Sequence, residues 1–166
     1  MSEGTVTGWP LLISALYFLF GASMYMGTMW VLKFFLYPTW RGLTPETEAV
    51  HFAIPTLAAT RFFTIVVPVM FVAGAVIVVS EWGSSRVWFA WLCVAGIIFL
   101  TYVGQGIIIP INKKIRAGEY ADVEGLRALL RRWMWLNDLR FYGSTAMWLV
   151  IVAYLVDKGQ LAAVFS

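Results

Sequence analysis

Apolar and polar positions alternate along this chain in long blocks. Four apolar runs stand out, at about residues 10–37, 62–79, 87–109 and 139–156, with short polar links between them. Runs of about 18 or more apolar residues are long enough to span a bilayer as helices. The pattern predicts an all-α integral membrane protein, a four-helix up-down-up-down bundle forming one transmembrane domain over residues 1–166. Three helix breaks are expected. Tyr37-Pro38 should end the first run, because a residue before proline resists helix. The segment after it should be a short interfacial helix broken near Pro55, with Thr44 as N-cap and Glu46 and Glu48 in its first turn. Pro110 should break the third helix. The stretch from Ala121 to Leu136 reads as an amphipathic helix leading into the fourth span.

Polar residues inside the runs fall at helical spacing. Ser23, Met26, Trp30, Lys33 and Tyr37 share one face of the first span. Thr101, Gln105, Ile108 and Asn112 share one face of the third. In the fourth, Trp133, Asn137, Arg140 and Ser144 share a face, and Arg131, Trp135, Asp138 and Tyr142 an adjacent one. Ser23 and Gly27 form a small-xxx-small pair that lets a neighbouring helix approach. An interior proline, Pro68, should kink the second span.

Composition agrees with the membrane reading. The chain is 61% hydrophobic and 13% charged, about half the charge of an ordinary soluble domain, and its mean hydropathy is +0.79. The net charge is only +3, but its distribution is lopsided. Ten of the twelve Lys and Arg flank the first and third connections; Arg86 and Lys158 lie at the other end. The positive-inside rule then puts both termini outside and the basic loops in the cytoplasm, as in a bacterial inner-membrane protein. The basic loops suit anionic lipid head groups and not nucleic acid. The first run is too long for a signal peptide. The single Cys93 rules out a disulfide framework and reads as a small core hydrophobe.

Several chemistries are excluded. One His and one Cys cannot build a conventional zinc, iron–sulfur or bis-histidine haem site. No phosphate loop or dinucleotide fingerprint is present. A nucleophilic Ser144 would lack a base. No metal or organic cofactor is expected. Intramembrane ionisable groups are functional-site candidates by default. Trp30, Lys33, Tyr37, Arg61, Gln105, Asn112, Asn137, Arg140 and Ser144 are expected to converge on a pocket favouring an anion: a phenolate, enolate, carboxylate or lipid phosphate. Arg140 would bind a planar oxyanion through its fork. The competing reading makes the same polar residues interhelical glue, with Asp138 in a structural ion pair with Arg131.

The organising stretch is Pro110-Ile111-Asn112, a charged loop, then Arg132-Trp133, Asn137 and Arg140. It resembles the anthrone-oxygenase-like family of small four-span membrane proteins, many of them known only as a domain of unknown function. The resemblance implies a site at Asn112, Trp133, Asn137 and Arg140. It also implies oxidation of an anthrone-like or quinone-like aromatic molecule by molecular oxygen without a metal. Two other classes remain open: an accessory subunit of a larger membrane complex (or a homo-oligomer), and a small transporter or sensor.

Overall fold

The computed structural model describes residues 8–159. Every regular element among them is helical. Four helices are long and apolar enough to cross a membrane: α1 (Gly8–Arg41), α2 (Ala49–Ser80), α3 (Val87–Arg116) and α4 (Val123–Lys158). The protein is an integral membrane four-helix bundle. Each helix packs on the ones before and after it in the chain, and α4 closes the ring against α1. The two termini, expected outside, fall in 1–7 and 160–166, outside the described residues.

The helix ends follow their local chemistry. The Asp122 carboxylate accepts the Gly125 N–H at 2.8 Å and starts α4, with Glu124 in the first turn, where a negative charge meets the positive end of the helix dipole. Thr47 Oγ1 accepts the Thr44 N–H at 3.1 Å, and the Thr44 carbonyl accepts from Glu48 at 3.0 Å, opening the turn into α2. Gly83 (φ +84°) and Gly118 (φ +66°) sit in the two tight links, in a left-handed conformation that side chains disfavour.

The expected breaks do not occur. Pro38, Pro55 and Pro110 each lie inside a continuous helix, two residues after a π-helical turn: Leu32–Leu36, Ala49–Ala53 and Tyr102–Ile108. A proline ring clashes with the carbonyl four residues back and leaves it without a donor. A wider π turn makes room for both effects. The carbonyl freed by Pro55 belongs to His51, and it accepts the Trp40 indole N–H at 2.7 Å. So α2 begins at Ala49, and no separate interfacial helix stands before it.

The helices, 30 to 36 residues long, reach about 45–54 Å at 1.5 Å per residue. The hydrocarbon layer needs only about 30 Å. Trp9, Trp82 and Trp88, each at least 70% exposed, ring the end away from the basic loops, as interfacial tryptophans do. About 20 residues inward from that ring lie Met29, Phe62, Ile108 and Asn137. The excess length projects at the basic end. It carries a second core of Tyr37, Trp40, Phe52, Ile115, Leu126 and Trp133, separate from the membrane core around Phe18, Met70, Ile97 and Tyr154. Gly143 allows α3 to approach α4, since a Cβ there would stand 2.9 Å from Phe99. Gly27 has no such role: nothing lies within 4 Å of its Cβ position.

Candidate functional site

The site is built where the two cores meet. The α4 face carrying Trp133, Asn137 and Arg140 faces the bundle interior, and the apolar repeat on either side of it fixes that orientation. Trp133 and Asn137 are buried, at 2% and 0% exposure. The Trp133 indole donates to Asn112 Oδ1 at 2.6 Å. The Asn137 amide donates to the Trp133 carbonyl at 2.9 Å, and its oxygen accepts from Arg140 at 2.8 Å. Arg140 also donates twice to the Tyr25 hydroxyl, from Nε at 2.9 Å and from a terminal nitrogen at 2.5 Å. Gly104 marks where α3 passes Arg140, since a Cβ there would lie 3.8 Å from the guanidinium, in ordinary contact.

Arg140 has no carboxylate partner among the described residues. The nearest carboxylate in sequence, Asp138, is held by Lys33 at 3.0 Å. A guanidinium carries five N–H donors, and the three bonds above leave two without a protein acceptor. The Tyr25 hydroxyl accepts both of its bonds and donates none. Among the described residues the Asn112 amide nitrogen and the exposed Gln105 amide have no hydrogen-bond partner either. Unpaired donors out of water are costly, and here they share one cavity wall with a positive charge.

These groups line a cavity of about 780 Å³. Along its basic half α2 does not pack closely on the π turns of α1 or α3, and it meets α3 again where Ala49–Ala53 reaches Ile109–Arg116. The cavity lies under that stand-off. Its wall includes exposed residues of α2 and α3, Thr64 and Gln105, so it is open on the side of the bundle. The basic end is closed by Trp40, Phe52 and Trp133, whose rings meet edge to face at 5.0–5.2 Å. Just beyond this plug Glu48 is buried, with Oε1 unpartnered. Burial raises its pKa and the Arg116 charge pulls it partly back.

Of the residues singled out by sequence, Gln105, Asn112, Trp133, Asn137 and Arg140 line the cavity, as do Thr101 and Ile108 from the same α3 face. Trp30, Lys33 and Tyr37 do not. Their stripe on α1 is a seam against α4. Trp30 donates to Thr145 at 3.2 Å, Lys33 to Asp138 at 3.0 Å and Tyr37 to the Met134 carbonyl at 2.8 Å, while Ser23 accepts from Trp148 at 2.9 Å. Lys33 also lies 4.6 Å from the Phe141 ring centre. Arg61 is exposed and away from the cavity, and the buried Ser144 hydroxyl bonds the Phe141 carbonyl at 3.2 Å. The expected Asp138–Arg131 pair is absent. Arg131 instead takes Glu124 at 3.0 Å, because both lie on the exposed face of α4 beyond the membrane core. Sequence reasoning missed Tyr25 and the α2 threonines Thr56, Thr60 and Thr64. The available signal was a tyrosine deep in a span, whose hydroxyl needs a partner, and hydroxyls recurring every four residues.

No protein-family model, no curated protein and no solved structure matches this chain.

Proposed function

We propose that the protein binds an apolar aromatic molecule bearing an acidic or strongly accepting oxygen, of the phenolate or quinone kind, in the Arg140 cavity. One observation carries this reading: a guanidinium without a carboxylate partner among the described residues, with two spare donors, on the wall of a cavity whose surface is mostly apolar and aromatic. Such a site has a charge to satisfy and a surface that fits flat rings. The Tyr25 hydroxyl and the Asn112 and Gln105 amides would orient the oxygens. The resemblance to anthrone-oxygenase-like proteins supports an anthrone as one member of this class, with Arg140 holding its enolate oxygen. The basic end would then face the cytoplasm, and the ligand would arrive from the adjacent leaflet.

The test is binding of 2-hydroxy-1,4-naphthoquinone, an anion at neutral pH, to the protein in lipid nanodiscs. Quenching of Trp133 and Trp40 fluorescence reports occupancy, since both line the cavity. Saturable quenching that is lost in Arg140→Ala, with the fold intact by circular dichroism, supports the reading. Quenching that is equal in wild type and Arg140→Ala overturns it.

A further inference from the structure

The cavity is polar at one end only. Helix positions that touch across the bundle set a common depth: Tyr25 with Arg140, Gly104 with Arg140, and Asn112 with Trp133. On that scale Phe71 lies nine residues from the far end of α2, Arg140 eighteen from that of α4 and Asn112 twenty-five from that of α3. The cavity therefore runs about 24 Å along the bundle axis. Every unpaired N–H donor among its lining residues sits between Asn112 and Arg140. Beyond Arg140, toward the bilayer middle, the wall is made by Val67, Phe71, Leu100 and the neighbouring side chains. Hydroxyls there are few and mostly engaged with the protein. Thr64 bonds the Thr60 carbonyl at 2.8 Å, and Ser23 accepts from Trp148 at 2.9 Å with its own proton unpaired. Thr101 also lines the cavity, but its unpartnered Oγ1 is itself inaccessible.

We infer that the ligand is a tailed amphiphile: a ring-bearing head held between Asn112 and Arg140, and an apolar chain running past Val67 to Phe71. This rests on the reading of the Arg140 cavity given above. The apolar part spans nine residues, or about 13 Å. A carbon chain advances about 1.25 Å per atom, from bonds of about 1.5 Å bent at about 111°, so the slot takes about ten carbons. The closed aromatic plug and the open side both fit a molecule that slides in from lipid, head toward the basic end. A tail moving from lipid to an apolar slot changes solvent little. The chain therefore fixes orientation more than affinity, and the test must report position.

The test uses two photoreactive hydroxynaphthoquinones in nanodiscs, one with a diazirine on the ring and one with it at the end of a ten-carbon chain. Mass spectrometry then maps the labelled peptides. The expected result is ring labelling around Asn112 and Asn137, and tail labelling on Val67–Phe71 and Leu100 that is lost in Val67→Trp, which fills the slot. Ring labelling that depends on Arg140, with the tail label on lipid-facing residues such as Ile65 or Tyr102, overturns the tailed-ligand inference and leaves the site standing. Ring labelling that is indifferent to Arg140→Ala overturns both.

Discussion

Replacing Glu81 should unlatch the far end of the bundle. Glu81 is 2% exposed although it follows the last residue of α2. One carboxylate oxygen accepts from the Tyr154 hydroxyl at 2.9 Å and the Lys158 ammonium at 2.8 Å, and the other from Ser84 at 2.8 Å. It thereby ties the α2–α3 link to the last turn of α4. In Glu81→Ala the Tyr154 hydroxyl, 1% exposed, is left without an acceptor at a cost of about 1–3 kcal/mol. The Ser84 bond adds about 1 kcal/mol. The Lys158 pair adds at most about 1 kcal/mol, because its ammonium side is 42% exposed and screened. The expected loss is about 3 kcal/mol, and about 1 kcal/mol for Glu81→Gln, which keeps an acceptor for Tyr154. Denaturant titration in mild detergent at pH 7 measures both. If the orphaned hydroxyl dominates, Tyr154→Phe should cost almost nothing in the Glu81→Ala background, a coupling of about 1–2 kcal/mol. Strictly additive costs would refute the reasoning. Burial opposes ionisation of Glu81, but Lys158, Ser84 and Tyr154 outweigh it and hold the pKa below the ordinary 4.5. A depressed carboxyl contributes in full above its unfolded value and loses that contribution as pH falls through its native one. Wild type should therefore lose stability below about pH 4.5, and Glu81→Gln should flatten that limb.

Three further outcomes follow from the geometry. Asp138→Ala strands the Lys33 charge and should cost about 1–3 kcal/mol, whereas Lys33→Met with Asp138→Leu should recover most of it in the same titration. Glu48→Gln should stabilise the protein by up to about 1 kcal/mol at pH 7: burial raises this carboxyl's pKa, so its ionised form opposes folding above that value, and the gain should vanish as pH falls. Phe52 is fully buried in the aromatic plug, so Phe52→Ala should cost about 3–5 kcal/mol and open the cavity at the basic end. A cysteine placed by Thr56→Cys, with Cys93→Ala, should then react with a membrane-impermeant thiol reagent applied from that side; equal labelling with Phe52 present would contradict the plug.

The apolar runs located the hydrocarbon segments but not the helices, because hydropathy reports lipid contact and helices of 30 to 36 residues overrun a layer of about 30 Å by about half or more. The overrun is visible only as helical spacing in mixed sequence such as Leu126, Leu130 and Trp133. Prolines 38, 55 and 110 misled for a physical reason: each is preceded by a π turn that absorbs its clash. Periodicity grouped Trp30, Lys33 and Tyr37 on one face correctly, yet it cannot say which neighbour that face meets, and it meets α4. The Asn112–Trp133–Asn137–Arg140 set was legible as a group because polar side chains at helical spacing in an apolar run must find partners on one face. Tyr25 was not, since one tyrosine among many aromatics carries no marker until its hydroxyl is seen against a guanidinium.

The most direct measurement is mass spectrometry of small molecules carried by the protein extracted from its own membrane in mild detergent, beside Arg140→Ala prepared identically. The account predicts a stoichiometric apolar molecule with an acidic or quinone oxygen in the wild type, and its absence from the folded variant. Empty protein in both preparations, or the same bulk phospholipids at equal occupancy, would contradict it.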